Sequence, residues 1–81
     1  MKVYKIDTSA NTKVGVEIIP TARLLIKNFT DENIEVSFDD TNYTTIATNF
    51  YQNFSLDKGV INKVYIKPKV ASTGGVELCV I

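Results

Sequence analysis

Apolar residues recur at every second position through most of the chain, and that period constrains the fold more than any other feature. Ile34, Val36 and Phe38 alternate with Glu35 and Ser37. Val14, Val16 and Ile18 alternate with Gly15, Glu17 and Ile19, and Val64 and Ile66 alternate with Lys63, Tyr65 and Lys67. Successive side chains of a pleated strand point to opposite faces, so this period sorts them into a buried and an exposed set, whereas a helix needs a period of about 3.6. The alternating positions are mostly β-branched or aromatic, which suits strands. The stretch Thr44 to Gln52 has room for one helical turn, but its threonines argue against it.

Turn chemistry separates the alternating runs. A first strand, Val3 to Ile6, is followed by Asp-Thr-Ser-Ala-Asn-Thr, and Pro20 is expected to close the second strand because it cannot donate to a central ladder. Arg23 to Phe29 places Leu24 and Ile26 inward and Arg23, Leu25, Lys27 and Phe29 outward. The polar tetrad Thr30-Asp31-Glu32-Asn33 then predicts a hairpin into the strand at Ile34. Asp39 to Asn42 interrupts that strand before a more polar one from Tyr43 to Thr48. Phe50 to Leu56 puts Phe50, Gln52, Phe54 and Leu56 on one face. Asp57-Lys58-Gly59 turns, Pro68 ends the strand at Val64 to Lys67, and Ser72-Thr73-Gly74-Gly75 leads into a last strand with Val76, Leu78 and Val80 inward. Seven or eight short strands with turns every eight to twelve residues predict an all-β chain, a single small antiparallel β-sandwich or jelly-roll-like barrel over residues 1–81.

A domain of 81 residues buries only about 60% of its unfolded surface, so its core is thin and a partner is expected. Cys79 stands alone and histidine is absent, which rules out an internal disulfide and leaves too few ligands for a zinc site; Cys79 reads as a small apolar filler. The amino-terminal segment has no apolar signal-peptide core and no stretch is long enough for a membrane helix, so synthesis in a cytoplasm and no membrane partner are expected. On that expectation the three sequons at Asn28, Asn42 and Asn53 reflect a composition rich in Asn, Thr and Ser. Nine basic residues balance nine acidic ones, which removes the electrostatic footprint of a nucleic-acid binder. The charges are segregated along the chain. Phe29 to Asp57 holds Asp31, Glu32, Glu35, Asp39, Asp40 and Asp57 without a base, and Lys58 to Lys69 holds Lys58, Lys63, Lys67 and Lys69 without an acid.

Chemistry has few candidates. Asp39-Asp40-Thr41-Asn42 supplies oxygen ligands, but the spacing of a calcium loop, its glycine and its distal glutamate are missing, so these residues read as a turn. No phosphate-cradling glycine loop occurs. A sugar platform has no tryptophan, and Tyr4, Tyr43, Tyr51 and Tyr65 are scattered. No catalytic, cofactor or metal residue is assigned.

The order RLLIKNF, a polar turn, IEVSFDD with a polar tip, NFSLDKG, VYIKPK and TGGVELCVI resembles small β-sandwich structural proteins of tailed bacteriophages: capsid auxiliary or decoration proteins, and modules of head fibres and tails. The resemblance spans Arg23 to Ile81 and rests on strand and turn patterns. Where such proteins often show Asp-Gly after VSF, this chain has Asp39-Asp40. It implies a non-enzymatic virion structural protein in many copies, most simply on the capsid surface. Its implied partners are the major capsid protein, other virion proteins or itself. A head-fibre, neck or tail module that binds a phage protein or a cell-surface glycan is the alternative, and a small host-encoded binding protein the next. The candidate contact residues are the outward apolar Leu25, Phe29, Tyr51, Tyr65 and Ile81, with an acidic side at Asp31, Glu32 and Glu35 and a basic side at Lys63, Lys67 and Lys69.

Overall fold

The computed structural model describes residues 2–68 and 73–81, and all its regular elements are strands. They are β1 (Lys2–Ile6), β2 (Val14–Thr21), β3 (Arg23–Asn28), β4 (Ile34–Ser37), β5 (Thr44–Ile46), β6 (Tyr51–Ser55), β7 (Ile61–Pro68) and β8 (Val76–Val80). Antiparallel pairing joins β1 to β8, β2 to β7, β3 to β6 and β4 to β5, so the chain is one long hairpin ribbon whose tip is the β4–β5 loop. The ribbon then folds across itself: β3 meets β8 and β4 meets β7, giving one sheet ordered β1-β8-β3-β6 (sheet A) and a second ordered β2-β7-β4-β5 (sheet B). A ribbon of four strand pairs wrapped into two facing sheets is the jelly roll. Its Cα radius of gyration, 11.6 Å, is what a compact domain of this length should have, about 11.7 Å.

The alternation does what the sequence predicts. Leu24, Ile26, Val76 and Leu78 of sheet A face Ile34, Val36, Ile46, Val64 and Ile66 of sheet B, all almost fully buried. Removing each such side chain from water contributes about 1.5–3 kcal/mol. Phe38 and Phe54 close one end of this core edge-to-face, with centroids 5.0 Å apart.

Three local expectations change. Pro20 lies inside β2 and does not end it. The register shifts between Glu17 and Thr21, and such an irregularity tolerates a residue without an N–H. The Ile19 amide in this stretch donates to the hydroxyl of Tyr4 (3.0 Å), tying β2 to β1 of the opposite sheet. Thr30 to Asn33 is not a hairpin: β3 and β4 belong to different sheets, and the segment crosses between them. The cause is a buried polar corner. Asn28 is 1% exposed, donates from Nδ2 to the carbonyls of Glu32 (2.9 Å) and Ile46 (3.0 Å), and accepts at Oδ1 from the amide (2.9 Å) and hydroxyl (2.6 Å) of Thr30. These bonds satisfy backbone groups that a hairpin ladder would otherwise use, and they turn the chain out of sheet A. Finally, Phe54 packs on the core, but Phe50 and Leu56 remain exposed because β6 is the last strand of its sheet.

The crossover end is stitched further. The Thr48 amide donates to Asn33 Oδ1 (3.1 Å) and the Thr73 amide to Asp31 Oδ1 (3.0 Å). Gly74, at φ 94°, passes so close to the Phe29 carbonyl that a Cβ would collide with it.

Candidate interaction surfaces

The outward side chains of sheet B form a polar and aromatic face. Tyr43 lies beyond the β4–β5 pairing, Ser37 pairs with Tyr65, and Tyr65 pairs with Gly15, so one row across the sheet reads Tyr43, Ser37, Tyr65, Gly15. Small residues at Ser37 and Gly15 leave room beside the two rings. Lysines fill it: the ammonium of Lys67 sits 4.7 Å from the Tyr43 ring centre, and those of Lys63 and Lys13 sit 5.2 and 5.9 Å from that of Tyr65. Each ring thereby has at least one lysine ammonium within about 6 Å of its centre.

The ribbon tip folds onto this face. Asp39 takes hydrogen bonds at its carboxylate from the amides of Thr41 and Asn42 (both 2.9 Å), from Asn42 Nδ2 (2.8 Å) and from the Ser37 hydroxyl (2.8 Å). The amides of Asn42 and Thr41, then the Asn42 and Ser37 side chains, hold its carboxyl far below the usual range. Asp40 adopts φ 61°, the left-handed conformation that glycine serves and aspartate tolerates, so Asp39-Asp40 makes the kind of turn an Asp-Gly pair would make. Its carboxylate bonds Lys13 Nζ (2.8 and 3.0 Å) and accepts from the Tyr43 hydroxyl. Lys13 first, then Tyr43, lowers the Asp40 carboxyl, and Asp40 in turn pushes the Tyr43 phenol up to about 12. Asp39 therefore shapes the tip, and Asp40 pins it to Lys13, the residue just before β2. Among the described residues no cluster of three or more His, Cys, Asp or Glu side chains is arranged to hold a metal ion.

The outward side chains of sheet A are different in kind. Val3, Cys79 and Leu25 form one row, bordered by the row Lys5, Glu77, Lys27, Tyr51. Cys79 is on this outer side, 3% exposed between its apolar neighbours, which agrees with a filler role. Phe29 is 53% exposed, Tyr51 68% and Ile81 61%, and Phe50 beside the β6 edge is 66% exposed. A shallow cleft of about 350 Å³ runs along Phe29, Lys5, Asp7, Glu77 and the Gly74-Gly75 backbone.

The candidate contact residues thus divide between opposite sides. Leu25, Phe29, Tyr51 and Ile81 belong to the sheet A side; Glu35, Lys63, Tyr65 and Lys67 belong to sheet B; Asp31 and Glu32 lie on the crossover between them. Lys69 lies outside the described residues. The segregation of charge along the chain is interleaved in space, since Glu35 pairs with Lys67, Glu17 with Lys63, and Asp40 binds Lys13. Sequence reasoning did not single out Lys13, because its ion pair spans 27 positions and no local pattern announces it. Comparison with family models, curated proteins and solved structures finds no match to this chain.

Proposed function

We propose that the chain is a non-enzymatic structural protein of a tailed-bacteriophage virion, an auxiliary or decoration protein carried in many copies on the capsid and held there by protein–protein contacts. The observation that carries this reading is the exposed apolar set Phe29, Tyr51 and Ile81 on the outer side of sheet A, with Phe50 also exposed at its β6 edge. Large apolar side chains gathered on one side of a small domain mark a contact, because leaving them in water forgoes the burial that would stabilise the fold. The jelly-roll order supports it by analogy, as that architecture recurs in viral capsid proteins, though it also serves lectins and enzymes. A partner that binds only the folded form would add to the stability of a thin core by mass action.

Imaging and quantitative mass spectrometry of purified particles test the reading. The expected result is this chain on the capsid surface in a fixed, high ratio to the major capsid protein, and its release on Phe29→Asp or Tyr51→Asp. A few copies at one vertex or on the tail would replace it with the fibre, neck or tail alternative. Absence from particles would reject the virion reading.

A further inference from the structure

β6 ends sheet A, with β3 as its ladder neighbour. The Asn28 amide donates to the Phe50 carbonyl (2.8 Å) and the Leu56 amide to the Ala22 carbonyl (2.9 Å). Backbone groups alternate sides along a strand, so residues 50, 52, 54 and 56 aim theirs at β3, and Tyr51, Asn53 and Ser55 aim theirs away from it. Such an edge is a template for another strand unless something blunts it. The other three edges are blunted: β1 carries Lys2 and Lys5, β2 contains Pro20 and a register shift, and β5 is three residues long. β6, Tyr-Gln-Asn-Phe-Ser, has regular register, no proline and no side chain charged at neutral pH.

We infer that β6 is a self-pairing strand: two copies of this chain join antiparallel along β6 about a two-fold axis at Asn53, merging their A sheets into one continuous sheet. A two-fold contact places the same surface on both sides, so the strand must tolerate itself, and a neutral strand opposes no like charges. The alternation of free backbone groups selects the register. With Asn53 facing its mate, Tyr51 faces Ser55 of the second copy and Ser55 faces its Tyr51, so every outward residue exchanges both of its bonds. A slip of one position sets bonding residues against non-bonding ones, and a slip of two leaves outward groups unmatched. Just beyond the strand, Asp57 falls opposite the second copy's Asn49, again without charge conflict. The exposed Tyr51 ring, beside Lys27 in its own sheet, gains cover from the second copy's Ser55. This inference rests on β6 alone and stands whether or not the chain is a virion protein.

Sedimentation velocity across a concentration series tests it on the full chain. Wild type is expected to show a monomer–dimer equilibrium. Asn53→Lys opposes two ammonium groups at the axis and should weaken association at least about tenfold. Asn53→Pro removes an outward amide that β3 does not use and should do the same. Asn53→Cys should crosslink two chains, because directly bonded partners sit about 5.5 Å apart between Cα atoms, inside the disulfide range of about 4.4–6.8 Å. Thr45→Cys on β5 should not. Unchanged circular dichroism shows that each variant is folded, and Asn53→Lys carries the test if the proline variant is not. A wild type that stays monomeric at the highest concentration overturns the inference, and so does a dimer indifferent to Asn53→Lys or an Asn53→Cys chain that does not crosslink. Monomers that pair through β6 only with a strand from another protein also overturn it.

Discussion

Replacing Asn28 by alanine should be among the most damaging polar substitutions in this protein. Its side chain is 1% exposed and makes four hydrogen bonds. Without it the Thr30 hydroxyl can give its one proton to the Glu32 carbonyl (2.7 Å), but the Thr30 amide and the Ile46 carbonyl lose the side-chain partners described above. Two stranded buried groups at about 1–3 kcal/mol each give a loss of about 2–6 kcal/mol, before any cavity is counted. A domain of 81 residues is stable by only about 4–12 kcal/mol, so Asn28→Ala should remove a large share of it. Urea unfolding followed by far-ultraviolet circular dichroism measures this, with the midpoint falling and the slope unchanged. Asn28→Asp keeps the shape and the acceptor but loses both donors and buries a charge, so its stability should recover as pH falls and the carboxyl gains a proton. Thr30→Val combined with Asn28→Ala should cost less than the two single losses together, with a coupling of about 0.5–3 kcal/mol. A cost below about 1 kcal/mol for Asn28→Ala would refute the view that this corner, rather than the apolar pattern, sends the chain from sheet A to sheet B.

Acid should weaken the fold through the ribbon tip. Asp39 and Asp40 both lie below their unfolded value of 3.8, so their contribution is present above that pH and is lost as pH falls through their lower folded values; the acid limb of a stability–pH curve should flatten in Asp39→Asn. Tyr43 runs the other way, since its phenol rises from 10.0 to about 12. Its contribution is present below pH 10.0 and is lost as pH rises toward 12, and titration of phenolate absorbance should lose this late step in Tyr43→Phe and shift it down in Asp40→Asn. Gly74→Ala, strained at φ 94° and blocked by the Phe29 carbonyl, should cost well over about 1 kcal/mol in urea unfolding. Gly59→Ala, at φ 82° with open space around it, should cost clearly less.

Much of what depends on neighbours in the chain was legible in the sequence. The period of two marks Leu24, Ile26, Val36, Val64, Ile66 and Leu78 as inward, and all are buried. Asp39 to Asn42 reads as a turn because short carboxylate and amide side chains bond amides two or three positions away, and those bonds are present. The same local view misjudged Thr30 to Asn33. Polar residues between two strand patterns look alike in a hairpin and in a crossover, and what separates the two is the bond from Asn28 to Ile46, eighteen positions on. Sequence also left Tyr43, Tyr65 and Lys13 unconnected and grouped Glu35 with Asp31 and Glu32, whereas strand pairing sets Glu35 against Lys67.

The sequence by itself determined an all-β chain, the approximate place of its strands, most of its turns and much of its core, because alternation and turn propensity act over a few residues. Tertiary structure alone decided which strand pairs with which, since every strand here offers the same backbone ladder and only folding of the whole ribbon ranks the partners. That ranking divides the outward residues into a lysine–tyrosine face on sheet B and a face on sheet A where exposed apolar side chains stand among Lys5, Lys27 and Glu77, and among the described edge strands it leaves β6 uncharged and regular.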